Sequence, residues 1–511
     1  MYSVLRNPDD IRVICQDSAQ NDVSVDLARA DGGVKVFVTA KLGEPRFVLL
    51  RWRMPIEGAV RVMGDAWERS YGELSWRGLE PERVLPWYFL MDSPDGVFAF
   101  GVAVRPSAMC HWLCDRDGIT LVLDVRCGDR GVILDGRRLE AATILYRAYG
   151  ETDPFDAACD FCAVMSPDPL PISAPVYGAN NWYYAYGNSS HEEILSDSAY
   201  ISRLAGTAAN RPYMVADDGW QPNGCCGPWD RGNVRFPDMP RLIREMKDCG
   251  VKPGLWIRPL NDADAKFSAK HRIRGEETML DPTHPFVLDD VAATLERLES
   301  WGCEIVKHDY SSYDVSGLWG KEMFRRFVPE RGGWHLYDRT VTTAEALVAL
   351  YTRIREAAGK MIIIGCNCVN HLTAGLAHLN RIGDDTSGVS WERTRFMGVN
   401  TLAFRLPQHK HFFDVDADCV GITKEIPWEK NRLWLDLLAK SGTPLFLSCK
   451  QSDINAAMED DIRAALALAA EQKDVLRPID WQETSVPSRW NWNGETISYA
   501  WADDFGAFPM V

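Results

Sequence analysis

The chain has 511 residues, of which 46% are hydrophobic and 25% charged, and its formal net charge is −16 at pH 7. This length exceeds one compact domain of roughly 100–200 residues, and the composition is that of a globular protein. The acidic balance argues against nucleic acid as a partner, because phosphate binding needs clustered lysine and arginine.

The N-terminal residues, the apolar stretches and the cysteines indicate where the protein is located. The first ten residues hold no apolar signal-peptide core, and no apolar stretch reaches the ~18 residues that a membrane helix needs. We therefore expect a cytoplasmic protein without a membrane partner, in which the 14 cysteines are reduced. Cys225-Cys226 and Cys366-Asn367-Cys368 lack the paired spacing of zinc sites and are interpreted as small buried or loop thiols.

Residues 1–165 are predicted to form an N-terminal β-sandwich. Short runs rich in β-branched and aromatic residues lie at 34–39, 47–52, 97–102 and 119–125. Turn signals such as Asp31-Gly32-Gly33 and Pro94-Asp95-Gly96 separate the strands. The Pro-rich stretch 165–171 is interpreted as a linker to the next domain.

Residues 172–455 alternate strand-like runs with amphipathic helices, the pattern of βα units. Helices are predicted over about 190–206, with Ser190 as N-cap, and over 238–250, 287–301, 343–358 and 429–440. The strands are predicted to end near Trp182, Asp218, Trp256, Asp309, Cys366, Asp385, Asp414 and Ser448.

Eight parallel strands favour a TIM-like (β/α)8 barrel, in which the step from the fifth to the sixth strand leaves room only for a small or distorted helix. A doubly wound sheet is the alternative, but no Gly-rich phosphate loop follows a strand. Residues 456–511 are predicted to form a C-terminal helix and a small β-domain, since 488–492 and 496–501 alternate like strands. The expected protein is thus multidomain, α/β plus β.

Lys307-His308-Asp309 ends the apolar run 303–306, so this predicted strand enters a site. Residues i and i+2 of a strand point to the same side, and Lys307 and Asp309 can therefore face one ligand. The nearby positive charge favours ionised Asp309, and an ionised, positioned carboxylate can attack an electrophilic carbon. A structural ion pair at a strand end is the alternative.

Asp385 lies four residues after Arg381 and directly after Asp384. Two neighbouring carboxylates compete for ionisation, so one pKa can rise and that group can hold a proton as a general acid. An Asp-Asp-Thr turn or cap is the alternative.

Asp217-Asp218-Gly219-Trp220 places carboxylate acceptors beside a flat apolar face, which suits a polyhydroxylated ring. A site for a hard cation is the alternative. Aromatic residues around the strand ends favour a sugar: Trp182, Tyr183, Tyr184, Trp220, Trp229, Trp256, Trp319 and Trp334.

In this order, the motifs resemble the family 36 glycoside hydrolases, the α-galactosidase group, and more distantly family 27. The likeness covers most of the chain. Further segments that resemble the family are 64–72 in the N-terminal domain, Asn181-Trp182-Tyr183-Tyr184, Gly254-Leu255-Trp256 and Gly365-Cys366.

The resemblance implies a retaining α-galactosidase that works by double displacement on an α-galactoside or a related oligosaccharide, without a metal or other cofactor. Asp309 would be the nucleophile and Asp385 the acid/base, with Asp384 as the competing assignment. Retention predicts carboxyl groups about 5–5.5 Å apart. The residues implied in substrate binding are Asp217, Asp218, Lys307, Arg381, Trp256, Trp182, Trp220 and Cys366.

Two departures from the family pattern concern the site's surroundings. Val415-Asp416-Ala417-Asp418-Cys419 stands where Asn-Asp-Pro-Asp-Cys is typical, and His308 adds a titrating group beside the predicted nucleophile.

Other functions remain open at this stage. They are α-N-acetylgalactosaminidase activity, galactosyl transfer on the same scaffold, and non-catalytic sugar binding by the barrel. A metal-dependent barrel hydrolase would need histidine ligands at strand ends, and the histidines at 191, 284, 308, 371, 378, 409 and 411 do not form a convincing set. The oligomeric state, homo-oligomers included, is left open.

Overall fold

The computed structural model describes residue 5 and residues 7–16, 22–30 and 32–502. Residues 1–4 and 6, which belong to the N-terminal stretch without a signal-peptide core, lie outside the described residues. The predicted turn at Asp31 and the last nine residues of the C-terminal domain lie outside the described residues.

The N-terminal region consists of two antiparallel sheets, which confirms its predicted β-rich character. One sheet has the strand order β1-β4-β10-β9-β6 and the other β2-β3-β11-β8-β7-β5. Aromatic side chains of the two sheets meet in the core, where the Phe89 and Trp112 ring centroids are 5.8 Å apart. The strands are β1 (Asp10–Cys15), β2 (Ser24–Ala30), β3 (Gly33–Thr39), β4 (Pro45–Arg53), β5 (Arg61–Gly64), β6 (Leu85–Pro86), β7 (Tyr88–Ser93), β8 (Gly96–Val102), β9 (Met109–Asp115), β10 (Gly118–Asp124) and β11 (Arg138–Gly150).

Nine parallel strands follow and form a TIM-like barrel. Their order is β18-β17-β16-β15-β14-β13-β12-β20-β19. The strands are β12 (Tyr177–Asn180), β13 (Tyr213–Ala216), β14 (Lys252–Ile257), β15 (Ile305–His308), β16 (Ile362–Gly365), β17 (Leu379–Arg381), β18 (Asp414–Asp416), β19 (Cys419–Ile422) and β20 (Leu445–Cys449).

The seventh position of the barrel is shared by two short strands. β18 pairs with β17 and β19 pairs with β20, while only Ala417 and Asp418 separate β18 from β19 in the chain. The sequence prediction placed the end of a strand at Asp414, but a strand begins there. The break at Asp418 has a physical reason, because its backbone adopts the left-handed conformation with φ +75° and leaves the β-strand geometry.

Helices return the chain between the strands, as predicted from the amphipathic pattern. Ser190 caps the first long one, since its hydroxyl accepts from the backbone N–H of Glu193 at 3.3 Å. The helices are α1 (Pro154–Met165), α2 (Trp182–Ala185), α3 (His191–Leu204), α4 (Met239–Asp248), α5 (Pro285–Trp301), α6 (Ser311–Ser316), α7 (Thr343–Ala357), α8 (Asn370–Thr373), α9 (Trp391–Arg393), α10 (Thr401–Arg405), α11 (Trp428–Ser441) and α12 (Ala456–Ala469).

Two helical regions deviate from the regular pattern. The helix between the fifth and sixth barrel strands, α8, has four residues, as the short connection predicted. A π-helical stretch at Thr394–Asn400 joins α9 to α10.

The C-terminal region adds a small antiparallel sheet. It contains β21 (Arg477–Pro478), β22 (Arg489–Trp492) and β23 (Glu495–Ser498), paired in that order. In the part of the chain that the structure describes, none of the helices combines the length and apolarity needed to cross a bilayer.

One segment of the N-terminal region reaches the mouth of the barrel. Residues 65–72, the inserted segment, follow β5 and lie against the loop after β17. The Ser70 N–H donates to the Ile382 carbonyl at 2.7 Å, and the Asp384 N–H donates back to the Ser70 carbonyl at 2.8 Å. The inserted segment is therefore joined to the barrel by backbone pairing.

Candidate active site

The carboxyl ends of the barrel strands enclose a small polar cavity of about 60 Å³. At ~10–15 Å³ for each ordered water, this cavity holds roughly four to six waters. The residues that line it are Arg69, Asn180, Trp182, Tyr183, Asp217, Asp218, Trp256, Lys307, Asp309, Tyr310, Cys366, Asn367, Arg381, Asp385, Asp418 and Cys419.

Asp309 follows β15 and is held by three donors. Its Oδ2 accepts from Trp256 Nε1 at 3.0 Å, and its Oδ1 accepts from Asn367 Nδ2 at 2.6 Å and from the Tyr310 N–H at 2.7 Å. Burial acts to raise the pKa of Asp309, but the Lys307 charge and the Trp256 hydrogen bond outweigh it and bring the pKa below its usual value. Asp309 is thus an oriented, ionised carboxylate, as the sequence predicted.

Asp385 lines the same cavity and contacts two arginines. Its Oδ1 lies 2.9 Å from Arg69 Nη1 and 3.2 Å from Arg381 Nη2. Burial acts to raise the pKa of Asp385, but the charges of Arg69 and Arg381 outweigh it and hold the pKa well below its usual value. The sequence prediction that Asp385 retains a proton is therefore wrong for the unliganded site, because the prediction did not include the charge of Arg69.

Asp384 pairs with two arginines outside the cavity. Its carboxylate is paired with Arg69 Nη2 at 2.8 Å and with the guanidinium of Arg393. It is not among the residues that line the cavity, whereas Asp385 is. Of the two assignments that the sequence left open, the geometry favours Asp385 as the group facing a ligand.

Asp217 and Lys307 form a buried ion pair on adjacent sides of the cavity. Lys307 Nζ lies 2.7 Å from Asp217 Oδ2, which also accepts from Asn180 Nδ2 at 2.6 Å. Burial acts to lower the pKa of Lys307, but the neighbouring Asp217 carboxylate raises it well above its usual value. Both side chains are therefore fixed by this contact in the wall of the cavity.

Asp218 continues the polar wall beside Asp217. Its Oδ1 accepts from the Cys225 N–H at 2.8 Å and from the side chain of Gln221. Burial raises the pKa of Asp218 above its usual value. Trp182 and Trp256 line the cavity as predicted and give it two apolar faces.

Arg381 connects the sixth and seventh positions of the barrel. Its Nη2 lies 3.0 Å from Asp418 Oδ2 as well as near Asp385, and its Nη1 lies 3.9 Å from Cys366 Sγ. Burial raises the pKa of the Cys366 thiol well above its usual value, so this group is a neutral part of the wall.

Two residues do not have the positions that the sequence suggested. Trp220 is fully buried outside the cavity, where its Nε1 donates to the Trp256 carbonyl at 2.8 Å. It supports Trp256 from behind and the prediction that it contacts the substrate is wrong. His308 faces away from the cavity toward Tyr351, and burial lowers its pKa to about 4, so it adds no titrating group to the site at neutral pH.

Sequence reasoning missed several lining residues, among them Arg69, Asn180, Tyr310, Asn367 and Asp418. The segment that holds Arg69 resembles the family, but the resemblance gives no role to the arginine. Tyr310, Asn367 and Asp418 share a different signal, since each has a positive φ, of +68°, +47° and +75°. Non-glycine residues in this conformation concentrate at functional sites, but the conformation is not readable from the sequence.

Several polar atoms around the cavity lack a partner inside the protein. Among the described residues, Arg69 Nε, Arg381 Nε and Asn367 Oδ1 are buried without a hydrogen bond. A search of the described residues finds no group of three or more His, Cys, Asp or Glu side chains placed to hold a metal ion.

The fold is shared with solved α-galactosidases. The α-galactosidase of Thermus thermophilus, determined with p-nitrophenyl α-D-galactopyranoside, has a TM-score of 0.60 at 18% identity over 96% of this chain and 99% of that chain. The family 36 α-galactosidase AgaA of Geobacillus stearothermophilus has a TM-score of 0.58 at 11% identity over 88% and 67%. The α-galactosidase of Lactobacillus brevis has 0.55 at 13% over 91% and 70%.

These comparisons confirm the resemblance to the family 36 α-galactosidases at the level of the fold. No protein-family model matches the chain. No curated protein matches it either.

Proposed function

We propose that this protein is a retaining glycoside hydrolase that removes terminal α-galactosyl residues from an oligosaccharide or glycoside. The observation that carries the proposal is the meeting of Asp309 and Asp385, from different barrel strands, in one small polar cavity. The similar α-galactosidase structures were determined with galactosides that include stachyose and raffinose, and their shared fold supports the same substrate class here.

The lining of the cavity supports a sugar ring as its occupant. Asp217, Asp218 and Lys307 offer charged partners to hydroxyls, and Trp182 and Trp256 offer apolar faces to the C–H side of the ring. Such a cavity suits the terminal residue of a chain.

The proposed reaction has two displacements at the anomeric carbon. In the first, an Asp309 oxygen bonds to this carbon while the bond to the leaving oxygen breaks, and Asp385 transfers its proton to that oxygen. In the second, Asp385 takes a proton from water, the water oxygen bonds to the anomeric carbon, and the bond to Asp309 breaks. The Trp256 and Asn367 hydrogen bonds orient the nucleophile for both steps.

A panel of p-nitrophenyl α-glycosides tests this proposal. We expect release from the α-galactoside and far less from the α-glucoside and α-mannoside, with the α-anomer of galactose formed first in NMR spectra. Preferential release from the α-N-acetylgalactosaminide would change the sugar, and sustained transfer to an added sugar would change hydrolysis to galactosyl transfer. The β-anomer formed first would contradict retention, and binding of galactose without any turnover would leave only a sugar-binding barrel.

A further inference from the structure

Among the residues given above as lining the cavity, Arg69 is the charged side chain that comes from the inserted segment. It is 7% exposed, and its two terminal nitrogens contact two neighbouring carboxylates, Nη1 with Asp385 and Nη2 with Asp384. The backbone pairing of the next residue, Ser70, with Ile382 fixes the segment beside these carboxylates. The N-terminal region thereby places a cation on the proposed acid/base.

Arg69 also lies at the boundary between two cavities. Besides the 60 Å³ cavity, it lines an adjoining cavity of about 880 Å³, formed by the inserted segment, residues of the following stretch 73–86 and the loop 318–331. Because one side chain belongs to both walls, a rotation of Arg69 toward the larger cavity would join the two spaces. The smaller cavity is lined by the residues proposed to bind the sugar ring, and the larger one has room for the group attached to it.

The contact between Arg69 and Asp385 has a chemical consequence for the proposed reaction. A general acid needs a proton before the first displacement, and a neighbouring cation disfavours that proton. Release of Arg69 would remove one of the two guanidinium groups on Asp385 and leave Arg381 in place. The charged and titratable groups that face Asp385 from the surrounding elements are Arg69, Arg381, Lys307, Arg393, Asp309, Asp384, Asp418, Tyr183 and Tyr186.

We propose that Arg69 is a positioning residue that keeps Asp385 ionised in the unliganded site and moves into the larger cavity when the leaving group of the substrate binds. Asp385 then takes a proton from solvent and is ready to donate it to the leaving oxygen. This inference rests on the proposed function and adds a coupling between leaving-group binding and protonation. It gives the N-terminal region a direct part in the reaction.

The pairing of Arg69 with Asp385 can be tested without any sugar. The carboxyl carbon of Asp385 is titrated by ¹³C NMR, and its signal is assigned by its absence in Asp385→Asn. We expect Arg69→Gln to raise the pKa of Asp385 by about 1 or more, a tenfold change in proton affinity, because a close opposite charge lowers a carboxyl pKa by about that much. Arg77→Gln is the matched control, since Arg77 lines only the larger cavity. An Asp385 pKa that is equal in wild type and Arg69→Gln would overturn the proposal.

The pH profile of kcat/KM tests the same pairing. The pKa of the limb that reports Asp385 should rise in Arg69→Gln and stay unchanged in Arg77→Gln. Arg69→Lys keeps a positive charge but cannot span both carboxylates, so we expect a smaller displacement. If Arg69→Gln fails to fold, Arg69→Met, which also removes the charge, repeats the titration, and an unchanged Asp385 pKa in folded Arg69→Met decides against the pairing.

The release is tested in Asp309→Ala, which lacks the nucleophile and holds sugars without turnover. Melibiose, which has a leaving group, should raise the pKa of Asp385 by about 1 or more, whereas galactose should not. Equal pKa values with the two sugars would overturn the release. A wild-type protein that cleaves no α-galactoside would count against the proposed function alone, since the sugar-free titration measures Arg69 directly.

Discussion

The wall of the candidate active site has two parts with different origins. The barrel contributes Asp217, Lys307, Asp309 and Asp385 from the ends of strands that alternate regularly with helices. The N-terminal region contributes Arg69 from an irregular segment that joins two of its strands. The first part follows a general property of barrels, whose active sites lie at the carboxyl ends of the strands, and the second follows no such rule.

This difference separates two kinds of role. Strand ends are held from both sides by neighbouring strands, so their side chains can be oriented within a rigid frame. The inserted segment is held instead by side-chain and backbone contacts with the barrel, among them a buried ion pair between Asp65 and Arg405 at 2.8 Å. We therefore expect changes at the strand ends to abolish the chemistry, and changes in the inserted segment to alter stability and protonation.

The largest effect should come from the strand end that carries the proposed nucleophile. Asp309→Ala should lower kcat/KM for p-nitrophenyl α-galactoside by at least ~10³-fold, because it removes the group that forms the covalent intermediate. Thermal unfolding of the variant should show that it remains folded. Near wild-type turnover in a folded Asp309→Ala protein would show that the strand ends do not perform the reaction as proposed.

The sequence was informative where the signal was local. Apolar runs that stop at Asp217 and Asp309 predicted both barrel strands and residues that line the cavity, because the active sites of barrels lie at the carboxyl ends of the strands. The alternation of strands and helices predicted the helices α3, α4, α5, α7 and α11 to within a few residues.

The remainder depends on contacts that no local pattern encodes. Arg69 and Asp385 are 316 positions apart in the chain, so their pairing exists only after the N-terminal region has docked on the barrel. The local sequence shows only Arg381 and Asp384 beside Asp385, and without the charge of Arg69 the predicted direction of the Asp385 pKa is wrong. Trp220 was assigned to the site from its adjacency to Asp218, although the turn directs it into the core.

The next effect concerns the anchoring of the inserted segment. Asp65→Asn should lower the free energy of unfolding by about 3 kcal/mol, because it leaves the fully buried Arg405 without its counter-charge. Denaturant unfolding measures the change. The matched control is Asp10→Asn, whose partner Arg53 is exposed, and it should leave the midpoint unchanged.

Asp65→Asn also tests whether the inserted segment influences protonation in the cavity. If the segment serves to position Arg69, folded Asp65→Asn should show a changed pH profile as well as a lower midpoint. A loss of stability with the pH profile unchanged would make Asp65 a structural anchor that has no bearing on the cavity.

The smallest of these effects distinguishes the two adjacent carboxylates that the inserted segment joins. Asp385→Asn should lower kcat/KM for methyl α-galactoside by about 10²-fold, because this poor leaving group needs a proton, and should lower it much less for p-nitrophenyl α-galactoside. Asp384→Asn should lower both to a similar, smaller extent, since Asp384 contacts Arg69 and Arg393 instead of the cavity. A loss that depends on the leaving group in Asp384→Asn, and not in Asp385→Asn, would reverse the assignment. Such a result would also mean that Arg69 holds the acid through its other nitrogen, Nη2, so the inserted segment would keep its place in the reaction while the strand-end residue beside it changed.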